Sequence, residues 1–125
     1  MTSLIACLSS GKGTWAHVSQ LIEKQEWNNI FLVTNDFGVK NFKPKIKEQE
    51  EPPKVEYILI YSKKYLSEII DDIQKQLKGK ITDTEVALNL ISGTGKEHMA
   101  VLSAVLKLGL GIRLISLTPK GVKEV

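Results

Sequence analysis

Two short loops collect hydroxyls, glycines and a lysine in a pattern suited to holding an anion: Ser9-Ser10-Gly11-Lys12-Gly13-Thr14 and Ser92-Gly93-Thr94-Gly95-Lys96-Glu97. Each interrupts an apolar run, Leu4-Ile5-Ala6-Cys7-Leu8 in the first case and Val86-Ala87-Leu88-Asn89-Leu90-Ile91 in the second. Glycine permits a sharp turn and lets a ligand reach the backbone N–H groups. A helix that starts at such a turn adds unpaired N–H donors and the positive end of its dipole, which suits phosphate. The hydroxyls of Ser9, Ser10, Thr14, Ser92 and Thr94 can share phosphate oxygens with those amides, and Lys12 and Lys96 supply point charges. Two such loops on neighbouring strands would form one site that reads more than one phosphate. His98, one position past Glu97, is either a polar contact in that pocket or a solvent-facing helical residue.

Other chemistries fit less well. Gly11-Lys12-Gly13-Thr14-Trp15-Ala16 matches the dinucleotide pattern G-x-G-x-x-A, with Asp36 at the end of the next strand, although their separation exceeds the expected ~20 residues. A tight turn without a ligand is the alternative reading of that loop. No G-x-x-x-x-G-K-[ST] occurs, which disfavours nucleoside triphosphate hydrolysis. His17 and His98 are the only histidines, and no carboxylates pair at ligand spacing, so no metal site is expected. No Ser-His-Asp set assembles. Cys7, the single cysteine, excludes an intramolecular disulfide and reads as a buried, inert thiol. Trp15 reads as core, with base stacking as its functional alternative. Asn89 reads as a buried side chain bonded to backbone, and Glu97 as a structural residue favouring the helix dipole.

The chain of 125 residues, 42% hydrophobic and 25% charged, has the composition of one soluble globular domain spanning residues 1–125. No apolar run approaches the ~20 residues that cross a bilayer, and no secretory pattern opens the chain, so no membrane contact and a cytoplasmic location are expected. A net charge of +3 is too small for a duplex DNA partner and compatible with a compact anionic ligand. Lys40, Lys43, Lys45 and Lys47 are followed at once by Glu48, Glu50 and Glu51, and read as a solvated, mobile connection or a flap over a ligand.

Apolar runs and helical periodicities alternate along the chain. Strands are expected at 3–8, 29–34, 54–60, 85–91 and 111–117, with 122–125 able to add a short edge strand. Helices are expected at 14–24, with Trp15, Val18, Leu21 and Ile22 inward, and from a Ser62 cap to Leu77, with Tyr65, Leu66, Ile69, Ile70, Ile73 and Leu77 inward. A third runs over 95–108, carrying Met99, Leu102, Val105 and Leu106. A short helix over 38–43 fits before Pro44. Near-continuous apolar strands alternating with amphipathic helices predict an α/β fold: a doubly wound, Rossmann-like three-layer sandwich with a mainly parallel sheet of order 3-2-1-4-5. The winding reverses between strands one and four, where such sheets bind ligands, and both glycine loops fall there.

The segment from Val86 to Leu117, with Asn89-Leu90-Ile91-Ser92-Gly93-Thr94-Gly95-Lys96, a small-residue helix and a final strand, resembles the signature half of CRISPR-associated Rossmann-fold (CARF) domains. Ser9-Ser10-Gly11 is similar to the family's other ligand-binding motif. This chain departs from the family's turn at Gly95, which spaces Thr94 from Lys96. The resemblance implies a homodimer that binds a cyclic oligoadenylate, a tetra- or hexa-adenylate, made by type III CRISPR systems, with no cofactor. It also implies a stand-alone sensor, sink or ring nuclease, in which a ribose 2′-hydroxyl attacks the adjacent phosphorus without a metal. Ser10 as positioning hydroxyl and Lys96 as charge stabiliser are then the candidate catalytic residues, with Lys12 in reserve. The competing readings are a nicotinamide-nucleotide-binding fragment using Gly11, Gly13 and Asp36, and a non-catalytic interaction subunit whose loops are only turns.

Overall fold

The structure is a computed structural model and describes residues 2–8 and 13–125. The elements in chain order are β1 (Leu4–Cys7), α1 (Trp15–Lys24), β2 (Asn29–Thr34), α2 (Asp36–Asn41), β3 (Lys54–Leu59), α3 (Leu66–Leu77), β4 (Glu85–Asn89), α4 (Gly95–Lys107), β5 (Gly111–Thr118) and β6 (Gly121–Glu124). The strands form one sheet in the order β3-β2-β1-β4-β5-β6. All neighbours are parallel except β5 and β6, which pair as an antiparallel hairpin. The order expected from the sequence is therefore observed, with the edge strand one residue earlier than expected.

Successive strand residues point to opposite faces, and both faces are covered, which is why the central strands carry no polar alternation. Ile5, Cys7, Phe31, Val33, Val86 and Leu88 pack under α3 and α4. Leu4, Ala6, Ile30, Leu32 and Ala87 pack under α1 and Trp27 on the other side. The result is a Rossmann-like α/β sandwich whose helices sit on both faces of a mostly parallel sheet.

Three expectations are corrected. Ser62 does not cap α3: the cap position is Tyr65, three residues later, and the Ser62 hydroxyl instead donates to Glu97 Oε2 at 2.7 Å. Tyr65 accordingly leaves the inner face of α3 and is exposed. In α4 the buried face is Ala100, Val101, Ala104 and Val105, while Met99 and Leu106 are exposed. Small side chains let α4 lie close to the sheet and to α3, so the bulkier residues are displaced outward. Finally, the connection over 42–53 exposes Lys43, Lys45, Lys47, Glu48, Glu50 and Glu51 to solvent as expected but is anchored at three points. Phe42 is buried, Ile46 packs on the α1-side core, and Gln49 bonds both the N–H and the carbonyl of Trp27, at 3.3 and 3.0 Å.

Candidate anion-binding site

The register Leu4↔Ala87, Ile5↔Leu88, Ala6↔Asn89 makes β1 and β4 direct neighbours. Because the strands are parallel, both end at the same edge of the sheet, at the point where the winding reverses. The chain leaving β4 there forms the second glycine loop. Ser9, Ser10, Gly11 and Lys12 of the first loop lie outside the described residues. Gly13 is exposed and Thr14 precedes α1, whose first turn receives no side-chain cap from it.

The β4–α4 turn is tightly built. Gly93 has φ +103°, which a residue with a side chain rarely adopts. A Cβ there would also stand 3.1 Å from Glu97 Oε1, 3.3 Å from His98 Nε2 and 3.4 Å from Cys7 Cβ. The turn thus rests directly on the last residue of β1. Thr94 caps α4: its hydroxyl accepts from the Glu97 N–H at 3.2 Å, while Glu97 Oε1 accepts from the Thr94 N–H at 2.8 Å. This reciprocal pair is a capping box, and it gives Glu97 the structural role expected of it. Gly95, the first residue of α4, has open space where a Cβ would stand, as does Gly13.

Below the turn, Ser92 is buried, and its carbonyl lies 2.8 Å from His98 Nε2. A carbonyl only accepts, so His98 carries its proton on Nε2 in this arrangement. His98 is therefore turned into the loop it follows. Lys96 faces the loop after β3, with Nζ donating to the carbonyls of Ser62 at 2.9 Å and Lys64 at 2.6 Å. Two carbonyls hold the ammonium at the crevice edge, and the extra Gly95 places Lys96 in the first turn of α4, where it can reach them.

On the opposite face, Asn89 is 2% exposed and ties three elements together. Its amide donates to the Ile115 carbonyl of β5 at 2.8 Å and meets His17 Nε2 of α1 at 3.2 Å, while its oxygen accepts from the Ile91 N–H at 3.2 Å. An amide NH2 only donates, so His17 accepts at Nε2 and is neutral there. Partial burial pushes the His17 pKa below its ordinary value, in the same sense. Sequence reasoning placed Asn89 in the interior but missed His17 as its partner, because they are far apart in the chain and no spacing rule links them.

The remaining candidates fall as follows. Cys7 is buried, and burial first, then the charge of Glu97, pushes its thiol up to about 12, which leaves it without nucleophilic character at neutral pH. Trp15 packs edge-on against Phe42 with ring centroids 5.4 Å apart, a core position. Asp36 opens α2 at the end of β2 and is exposed. Among the described residues no three His, Cys, Asp or Glu side chains gather as a metal site would require. No described helix is long and apolar enough to cross a membrane. An open cavity of about 150 Å³ lies between Trp27, Arg113, Ile115 and Lys123, and none of the described residues of the glycine loops lines it.

A Rossmann-like sheet with an ordered, capped glycine turn at its winding reversal defines the class of molecule. Among solved structures, the fold is similar to that of Enterococcus italicus Csm6 bound to cyclic hexa-2′-fluoro-hexa-dAMP, with a TM-score of 0.60 and 14% sequence identity. The match covers 99% of this chain and 35% of that one, so the chain spans about a third of the neighbour's length. No protein-family model and no curated protein matches the sequence.

Proposed function

We propose that this chain is a CARF-like domain that binds a cyclic oligoadenylate at the crevice between β1 and β4, in the cytoplasm of a cell with type III CRISPR signalling. The observation that carries this reading is the Gly93–Lys96 turn. Gly93 stands against Cys7 at the end of β1, α4 starts two residues on, and Lys96 of its first turn is fixed by the Ser62 and Lys64 carbonyls, in a fold shared with a protein bound to a cyclic hexanucleotide. Oriented amide dipoles and a fixed cation are what a phosphodiester needs. Ser92, Gly93, Thr94, Gly95, Lys96 and His98 form the ligand-binding wall from β4. Ser9, Ser10, Gly11, Lys12, Gly13 and Thr14 are assigned to the wall from β1.

Two copies would face one ring across a two-fold axis, each presenting the same wall. An apolar strip supports this pairing. Met99, Leu102 and Leu106 share one side of α4 by helical spacing, and Met99 and Leu106 are each 61% exposed. Leu114 of β5, paired with Leu88, points to the same side of the sheet and is also exposed. Exposed apolar strips of this kind mark interfaces.

Ring opening is assigned to the same wall. A ribose 2′-hydroxyl attacks the adjacent phosphorus, the P–O5′ bond breaks, and a 2′,3′-cyclic phosphate and a 5′-hydroxyl result. The chain's part is alignment, by Ser10, and stabilisation of the negative charge on phosphorus oxygens, by Lys96.

Titration with cyclic tetra- and hexa-adenylate, with NAD as the comparator, tests binding. One ring should bind and NAD should not. Lys96→Ala should lose roughly 10- to 100-fold in affinity, the scale of a charge-assisted hydrogen bond. Tight NAD binding with no ring binding would transfer the site to the dinucleotide reading. Cleavage is tested by incubation in chelator: the adenylate ring should open, while its 2′-fluoro counterpart, which has no attacking hydroxyl, should bind intact. An adenylate ring left whole after long incubation reduces the protein to a sensor or sink.

A further inference from the structure

The loop from Tyr61 to Tyr65, which follows β3, is fastened to the start of α4. Lys96 donates to two of its carbonyls, and the Ser62 hydroxyl donates to Glu97 Oε2. That loop therefore stands at the same edge of the sheet as the Gly93–Lys96 turn and is held in register with it. It carries two aromatic rings in solvent, Tyr61 at 47% and Tyr65 at 79% exposure.

The two rings are not equivalent. Lys64 Nζ lies 5.6 Å from the centroid of the Tyr61 ring and 2.8 Å from Asp72 Oδ2, so Tyr61 is already covered by a cation that is itself paired. Tyr65 sits at the start of α3, with its backbone N–H donating to Glu68 Oε1 at 3.1 Å. Of the exposed aromatic side chains Phe37, Tyr61 and Tyr65, it presents the most surface to water. The residue before it, Lys64, gives its carbonyl to Lys96 at 2.6 Å. The ring and the ammonium are thus set one residue apart through a single hydrogen bond.

We propose that Tyr65 is a base-stacking residue: an adenine of the bound oligoadenylate lies on its ring while the adjoining phosphate meets the Gly93–Lys96 turn. This rests on the oligoadenylate reading above and extends the site to a third loop. Burying an exposed aromatic face against a nucleobase is favourable, and it suits a ring of identical bases because stacking has little dependence on base identity. Lys96 acquires a second task, holding the stacking platform at a fixed reach from the phosphate cradle.

The test is a calorimetric titration of the full chain with whichever adenylate ring the wild type binds, comparing Tyr65→Ala with Tyr65→Phe. A parallel titration uses a ring carrying 2-aminopurine, whose fluorescence falls on stacking. Tyr65→Ala should weaken binding roughly 5- to 100-fold and relieve the quenching, whereas Tyr65→Phe, which keeps the ring, should do neither. Because the side chain is exposed, thermal midpoints of all three proteins should coincide. Wild-type affinity in Tyr65→Ala overturns the proposal and leaves the function reading standing, and so does an equal loss in both variants, which would point to the hydroxyl. If the wild type binds neither ring, the function reading fails, and this proposal falls with it.

Discussion

Asn89 holds more of the crevice together than any spacing rule would suggest. One buried amide joins the Ile115 carbonyl, the Ile91 N–H and the His17 ring. Truncation strands partners that water cannot reach easily, so Asn89→Ala should cost on the order of 2 kcal/mol in denaturant unfolding. His17 makes this joint sensitive to acid. Its pKa is held below the ordinary value, so the folded state takes up the proton less readily than the unfolded chain. Its contribution to stability is complete above the unfolded pKa, near 6.5, and is lost as pH falls through the folded value. Protonation would set a second donor against the Asn89 amide. Unfolding midpoints of wild type and His17→Gln should therefore converge or cross below about pH 6. A constant gap between the two across the acid range would sink this account. Ser10 and Lys12, which the sequence singled out at this scale, fall outside the described residues, whereas Lys96 and His98 prove to be oriented by carbonyls that no motif foretold.

At the scale of elements, α2 packs closely on the end of β2 at Gly38. A Cβ on Gly38 would stand 1.9 Å from Thr34 Oγ1, which is itself buried and, among the described residues, lacks a hydrogen-bond partner. Gly38→Ala should destabilise by about 2 kcal/mol through overpacking. The same change in a Thr34→Ala background should cost clearly less, because most of the obstructing side chain is gone. Additive costs in the double-mutant cycle would show that the two sites do not meet. Helix α4 illustrates why helical periodicity locates a helix better than it orients one. Its Met, Leu, Val and Ala residues run round much of the circumference, so the spacing of Met99, Leu102, Val105 and Leu106 does not by itself say which of them face inward. Packing against α3 and the sheet selected the alanine–valine side. Ser62 was misread for a related reason. A serine after a strand looks like a cap, and only the approach of α4 supplies Glu97 as its partner.

For the whole molecule, the decisive feature is which surfaces the fold leaves uncovered. Helices close both faces of the sheet, β6 covers one edge, and Gln76 bonds both the N–H and the carbonyl of Leu59 on the other, at 2.9 and 2.8 Å. Met99 and Leu106 of α4, with Leu114 of β5, remain exposed on the α4 side of the sheet. A two-fold interface there predicts a dimeric solution mass for the wild type by sedimentation. Met99→Glu with Leu106→Glu should give a monomer with unchanged circular dichroism and a weakened hold on the adenylate ring. A wild type that sediments as a monomer both with and without the ring would remove the dimer from the proposal.

What the residues alone determined is the local grammar: which runs become strands, where glycine stops them, and that a sheet buried on both faces must be wound in both directions. Those properties depend on hydrophobic period and backbone freedom, which are written into neighbouring positions. Tertiary structure decided the rest. The Lys96 ammonium on two distant carbonyls, the Asn89–His17 joint and the outward turn of Met99 and Tyr65 all depend on contacts between elements far apart in the chain. Such contacts follow from how close two packed layers approach, and no short stretch of sequence carries that distance.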